Sequence, residues 1–385
     1  RISIAGQAMN LAYRDVRHNL FRFVLTCLGL SLLMAVVLAM MGIYNGAVID
    51  ALTIARAPQV DVWVVEAETK GPFAESSRIP GSTREAVARL QGVADAGSVT
   101  YQNADGEYNG TSRRLYIIGY EPSRLGGPQD LIAGRPITRT HFEMIADTRT
   151  GLSLGDRVRL GRNDFEVVGL VHNHVNSGGD PAVYISLLDA QTLQFEIDPA
   201  AVRVKRAKGE VSDSQDTVNA VIARLHPDAD PEQVTESVRR WKHLSGMTQA
   251  QEETLLTRSV IERQRRQLGL FMAILMAVSA VVIALIIYMM TIEKLKQIAT
   301  LKLIGAPDRT IVWLIMQQSL ALGITGWFFG LGLLSLVKDY FPRRVVLDVP
   351  DAFVMGGIIA LVCVVASGLG IRAALKADPA TALGG

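Results

Sequence analysis

The chain has 385 residues, 49% of them hydrophobic and 20% charged, with a formal net charge of +2. An apolar fraction near one half also occurs in soluble proteins, so composition alone separates no classes. The near-neutral charge gives no reason to expect nucleic acid, and no such partner is expected. The two cysteines, Cys27 and Cys363, both fall in apolar runs, which excludes a disulfide framework for the long polar segment between them.

The distribution of charge is more informative than its sum. Charge-free runs occupy Phe23–Ile49, Gln267–Ile292, Thr310–Val337 and Ala352–Ile371. Each reaches the length of about 20 residues that a helix needs to cross a hydrocarbon core. A backbone in lipid must satisfy its own hydrogen bonds, so these runs are expected to be helices. Buried helices of soluble proteins rarely run this far without a charge. The expectation is an α-helical membrane protein with four transmembrane helices and a large α+β domain inserted between the first and second.

In chain order, residues 1–22 place Ile4, Ala8, Leu11, Ala12, Val16 and Leu20 at helical spacing, with arginines on the other face. An ordinary solvated helix would show the same spacing, but the adjoining apolar run favours an amphipathic helix in the cytoplasmic interface. Residues 23–49 form the first span. They are too long for a signal-peptide core, and no small-residue cleavage site follows.

The segment 50–250 alternates strand and helix patterns. Strands are expected at Val60–Glu66, Arg113–Gly119, Ala182–Ser186 and Ala201–Lys205, and a hairpin at Asp156–Leu160 and Asp164–Val171 around Gly161-Arg162-Asn163. Helices are expected at Thr83–Leu90, Leu188–Gln194 and Ser214–Leu225. The mixture implies two lobes, with a boundary somewhere within 105–200.

From Gln249 to Ile292 there is no proline, and Glu262 and Arg266 make a supporting i,i+4 pair. As one helix this stretch would extend about 66 Å, twice the hydrocarbon core. Residues 251–292 therefore read as a stalk continuing into the second span. A short linker follows at 293–309, then the third span at 310–337, a loop at 338–351, the fourth span at 352–371 and a tail at 372–385.

Basic residues exceed acidic ones in the N-terminal flank, the 293–309 linker and the tail, whereas Lys338–Asp351 is balanced three against three. By the positive-inside rule both termini and the linker are cytoplasmic, and the large domain lies outside.

No GxxxxGK[ST] loop is present, so ATP has no P-loop in this chain. His172 and His174, two apart on an expected strand, would share a face, but two histidines without a third ligand rarely hold zinc. Asn109-Gly110-Thr111 matches a glycosylation triplet of a kind frequent by chance. The spans carry no Asp, Glu, Lys, Arg or His of the type an ion-coupled carrier keeps near the midplane. Gly326-Trp327-Phe328-Phe329-Gly330 is a GxxxG pattern that permits close helix contact. Gly323, Gly356, Gly357 and Gly370 carry weaker versions of that argument.

The linker EKLKQIATLKLIGAPDRT places Leu295, Ile298, Leu301, Leu303 and Ile304 beside four basic residues, before a Gly305-Ala306-Pro307 stop. An apolar stripe on a short cytoplasmic helix suits a partner groove.

This segment resembles the "EIGVLKALGA" linker of ABC permeases of the MacB, FtsX and LolC group. The tail AALKADPATAL resembles the group's terminal "A-x-K-x-D-P-x-x-A-L". Ile118-Gly119-Tyr120-Glu121-Pro122, Ala133-Gly134-Arg135, Leu154-Gly155-Asp156 and Phe165–Gly169 resemble motifs of the MacB-type periplasmic domain. The resemblance spans essentially the whole chain. The absence of a fused ATPase is most similar to DevC-type permeases, and Gln297 departs from the Glu that many members carry.

The resemblance implies a non-catalytic permease subunit in the bacterial inner membrane. It would pair with a second copy of itself and with two ABC ATPase subunits, which would hold ATP and Mg while this chain binds no cofactor. Lys294, Leu295, Ile298, Leu301, Lys302, Ile304 and Gly305 would form the coupling helix, and Gly326 and Gly330 would pack helices. A periplasmic adaptor and an outer-membrane channel are implied partners alongside the lipid bilayer. The substrate would be amphipathic: lipid, glycolipid, lipoprotein or peptide. The alternative is an FtsX-like signalling device that activates a periplasmic hydrolase and transports nothing; such chains usually carry a smaller outer domain.

Overall fold

The computed structural model describes residues 20–73, 75, 77–197, 216–258, 262–293, 298–300, 304, 307–341 and 343–376. Most of the expected interfacial helix at 1–22, the expected strand Ala201–Lys205 and the end of the tail lie outside them. Two compact units form, one from Ala47–Gln264 and one from the flanking segments.

Helix α1 (Leu20–Arg56) contributes to both units, and ends seven residues beyond the expected limit of the first span at 49. The inserted unit then opens with β1 (Val62–Glu66), β2 (Ile79–Pro80), α2 (Thr83–Ala88) and the 16-residue β3 (Val93–Tyr108). It continues through β4 (Thr111–Tyr120), β5 (Ala133–Gly134), β6 (Glu143–Asp147), β7 (Arg157–Leu160), β8 (Asn163–Val171), β9 (Ala182–Ser186) and α3 (Leu187–Ile197). It closes with β10 (Thr217–Val218), β11 (Ala220–Leu225), α4 (Pro231–Arg239), β12 (Leu244–Thr248) and α5 (Gln249–Leu256).

Strands β12, β1, β11 and β3 are neighbours in that order, all antiparallel. With α2 between β1 and β3 and α4 between β11 and β12, this is the ferredoxin-like split βαβ arrangement. The second lobe is inserted between β3 and β11. There β3, β4, β9, β6, β8 and β7 pair in sequence, and β7 returns to β3 at Gly106 and Glu107, closing a six-stranded ring. Ala104, Ile117, Met144, Val158, Phe165 and Val183, one from each strand, belong to a single buried cluster. Closure removes the exposed strand edges that would otherwise invite pairing with other chains.

Two expectations in this unit are corrected. Ser214–Leu225 is not helical: its described part forms β10 and β11, and β11 is buried between β1 and β3. A strand buried on both faces shows a continuous apolar run, and periodicity cannot tell such a run from a helix. His172 and His174 do not share a strand face. β8 ends at Val171; His172 meets the hydroxyl of Thr148 at 2.9 Å near the surface, while His174 is fully buried.

The helical unit adds α6 (Glu262–Glu293), α7 (Asp308–Val337) and α8 (Val349–Lys376). Among the described residues four helices are long and apolar enough to cross a membrane: Cys27–Arg56, Arg266–Glu293, Asp308–Tyr340 and Val349–Arg372. The stalk expected as one helix is described as α5 and α6, with residues 259–261 between them outside the described set.

Glycine sets the spacing within this unit. A Cβ on Gly326 would lie 2.8 Å from Leu30, and one on Gly330 would lie 3.1 Å from the Ser31 carbonyl, so α7 packs on α1 through this pair. Gly323 abuts Cys363 of α8, and Gly370 abuts Ile287 of α6; Gly357 meets nothing. Gly42 and Gly46 admit the loop between α7 and α8: the Val346 N–H donates to the Gly42 carbonyl at 2.9 Å, and a Cβ on Gly46 would collide with the Arg344 carbonyl.

Candidate functional site

Two places bear on a membrane-coupled role: the linker between α6 and α7, and the root of the inserted unit. In the linker, residues 298–300 are helical, and the Ile304 N–H donates to the Thr300 carbonyl at 3.1 Å. Pro307, extended, precedes α7, as its missing N–H allows at a helix start. Ile298 is 4% exposed and shares a cluster with Ile283, Ile287, Ile311 and Ile315, whereas Ile304 is 79% exposed. The apolar stripe is therefore divided: Ile298 packs the bundle, and Ile304 presents an open side chain. Lys294, Leu295, Leu301, Lys302 and Gly305 lie outside the described residues.

The root of the inserted unit joins the end of α1 to α5. Thr248 and Gln251 form a capping box at the start of α5, each side chain meeting the other's backbone N–H. Gln249 accepts from the Trp63 indole N–H at 2.7 Å and donates to the Ala55 carbonyl at 3.2 Å. Its backbone N–H donates to the Asp61 carbonyl. Arg56 donates from Nε and Nη2 to the two oxygens of Glu253, with Nε to Oε1 at 2.8 Å. That hydrogen bond holds the Glu253 carboxyl below its ordinary range. Further along α1, Asp50 lies 3.5 Å from Arg149. Sequence reasoning missed this clamp, although the Thr248-x-x-Gln251 signature was legible.

The motifs that carried the resemblance are scaffold elements. Arg135 pairs with the buried Glu143, which also accepts from the backbone N–H groups of Thr138 and Arg139, each at 3.0 Å. Arg135 first, then those N–H groups, hold the Glu143 carboxyl down at about 2 against the opposing effect of burial. Gly134, at φ +82°, brings β5 onto the Val168 carbonyl, where a Cβ would collide. Asp156 accepts from the Ser153 N–H at 2.8 Å and the Tyr108 hydroxyl at 2.9 Å, fixing the turn that Gly155 makes at φ +86°.

His174 shares its Nδ1 with the Tyr184 hydroxyl at 2.6 Å and its Nε2 with Asp130 at 3.0 Å, and donates its N–H to Asp147 at 2.6 Å. This is a satisfied core histidine. Among the described residues no three His, Cys, Asp or Glu gather as a metal site.

The family profile described as a MacB-like periplasmic core domain matches residues 23–241, and that of the FtsX-like permease C-terminal region matches 269–379. An uncharacterized ABC transporter permease of Mycobacterium bovis is 24% identical over 377 residues, covering 97% of this chain and 99% of that protein. A Staphylococcus haemolyticus protein named as the hemin transport system permease HrtB is 21% identical over 388 residues, covering 98% and 99%. The crystal structure of the periplasmic region of MacB from Actinobacillus actinomycetemcomitans is similar at a TM-score of 0.36 and 11% identity, covering 52% of this chain and 94% of that one. The chain belongs to the ABC transporter permeases that join a MacB-like core domain to an FtsX-like membrane region.

Proposed function

We propose that this chain is the membrane subunit of an ATP-driven exporter, in which the inserted domain faces away from the cytoplasm and is moved by a separate ABC ATPase. The observation that carries the reading is the clamp at the root. The end of α1 and the start of α5 are tied by Arg56–Glu253 and by Gln249, and the chain leads from each of these helices into an apolar span. A displacement of either helix reaches the inserted domain through side chains that already hold both.

On this reading the 294–305 linker docks on the ATPase in the cytoplasm, ATP and Mg stay on that subunit, and two copies of the permease work as a pair. Both termini lie in the cytoplasm and the membrane is the bacterial inner membrane. The substrate is amphipathic; hemin, named for relatives about one-fifth identical, is one such compound to test. A periplasmic adaptor and an outer-membrane channel would complete the export path.

The test is reconstitution. The purified chain alone should turn over no ATP. With its ATPase in proteoliposomes, nucleotide should drive an amphipathic probe out of the bilayer. Turnover by the isolated chain would overturn the division of labour. ATP-driven activation of an added cell-wall hydrolase without probe movement would favour the signalling alternative.

A further inference from the structure

Among the described residues of the inserted domain, one carboxyl is buried with neither oxygen hydrogen-bonded. Glu252, on α5, is completely buried, and neither carboxyl oxygen has a hydrogen-bond partner. Its neighbour in sequence, Glu253, points instead to Arg56. The Glu252 carboxyl is packed against the backbone of the loop between β1 and β2: a Cβ on Gly71 would lie 2.5 Å from both oxygens, and Gly71 stands at φ +88°. Two residues on, Phe73 enters an aromatic row, 5.4 Å from Trp63 and 4.8 Å from Tyr101.

An isolated carboxylate is costly to bury, and such a group takes a proton instead. Among the described residues no cation is hydrogen-bonded to it. On the loop, Lys70 and Glu75 pair with each other at 3.3 Å. From α1, Arg56 is engaged by Glu253. From β1, Glu66 accepts the Arg78 N–H. From β3 comes Tyr101, whose hydroxyl burial pushes well above the phenol range, with Tyr116, Tyr184 and Glu252 adding to the effect.

We infer that Glu252 is a proton-dependent latch: protonated, it lets the Gly71–Phe73 turn seat on α5, and ionised, it releases that turn. Burial alone pushes the Glu252 carboxyl up to about 8. An acid raised from its ordinary 4.5 leaves the closed state fully favoured below about pH 4.5 and weakens it steadily as pH rises toward 8. The latch is therefore tightest in mild acid, loosens through neutral pH and is loosest in mild alkali. Because α5 also carries the clamp to α1, an open latch would loosen the root beside Arg56–Glu253. The inference rests on the packing of Glu252 and not on the transport reading.

Hydrogen exchange of the full chain in lipid nanodiscs tests it, comparing wild type with Glu252→Gln at matched pH. Near pH 4 the Gly71 and Phe73 amides should exchange alike in both, because the carboxyl is then protonated whether the turn is seated or released. At pH 9, above both the ordinary and the buried value, ionisation favours the released turn fully, so these amides should exchange at least about tenfold faster in wild type than in the variant. Equal exchange at pH 9 would overturn the latch. A second measurement needs only wild type: infrared spectra should show a protonated carboxyl at pH 7 that titrates away with a midpoint near 8, and its absence would overturn the inference whatever the variant does.

Discussion

Arg56 and Glu253 lie 197 residues apart in sequence, yet the Arg56 Nε donates to Glu253 Oε1 at 2.8 Å and a second guanidinium nitrogen meets Oε2. The planar guanidinium fork matches a carboxylate in a way that a lysine could not. Arg56 is 60% exposed, so solvent screens the pair, and its contribution to stability should be only about 0.5–1 kcal/mol. The prediction separates stability from coupling. Arg56→Ala should lower the thermal midpoint slightly but reduce nucleotide-driven probe movement strongly. Arg56→Glu with Glu253→Arg should recover much of that movement. Unchanged transport in Arg56→Ala would show that the clamp transmits nothing.

The glycines of α7 make a second prediction that depends on which atoms a new Cβ would meet. On Gly330 it would press on the Ser31 carbonyl at 3.1 Å and the Ala35 nitrogen at 3.2 Å, both backbone atoms of α1 that cannot turn aside. On Gly357 of α8 it would meet nothing. Gly330→Leu should therefore cost roughly 1–3 kcal/mol or more, the range for overpacking, and Gly357→Leu should be near neutral. Thermal unfolding in detergent compares the two. Equal midpoints would mean that α1 and α7 do not meet at this pair.

These contrasts bear on what sequence alone can reveal. The four spans were legible because lipid demands long charge-free runs, and no competing principle masks them. The turn at Asn109-Gly110, at φ +49° and +73°, is a two-residue hairpin loop whose signature was passed over for the glycosylation triplet that overlaps it. The lobe boundary was illegible for a physical reason. β3 pairs with β11 from Val93 to Val99 and with β4 from Val99 to Tyr108, so one strand serves both lobes and no linker composition marks the change. In the linker, spacing placed Ile298 and Ile304 among the apolar residues of one helix. Which of them turns toward the bundle depends on Ile283 and Ile311, distant partners that periodicity does not encode.

Glu143 gives a prediction in acid. Its folded-state value near 2 lies below the ordinary 4.5, so the stability it contributes is fully present above about pH 4.5 and is lost as pH falls toward 2. The shift corresponds to at most about 3 kcal/mol, reduced by solvent around the half-exposed Arg135. Chemical denaturation of the full chain in detergent between pH 6 and 3 should show a steeper fall in wild type than in Glu143→Gln, the contribution of Glu253 being common to both. The variant should be less stable than wild type at pH 7, because the Arg135 charge and two N–H groups lose their carboxylate. Parallel pH profiles would remove Glu143 from the acid response.

The linker provides the sharpest separation between packing and docking. Ile298 is buried with Ile283, Ile287 and Ile311, so Ile298→Glu places a charge in an apolar cluster and should destabilise the helical unit by several kcal/mol. Loss of ATPase binding in that variant would say nothing about a contact. Ile304 is 79% exposed, and Ile304→Glu should leave the thermal midpoint of the purified chain unchanged. If the linker is the dock, the same substitution should abolish co-purification with the ATPase, because a carboxylate would enter the groove that the isoleucine fills. Co-purification at the wild-type level, with the fold intact, would move the dock elsewhere on the chain. The comparison works because the two isoleucines are six residues apart in one segment and differ almost wholly in exposure.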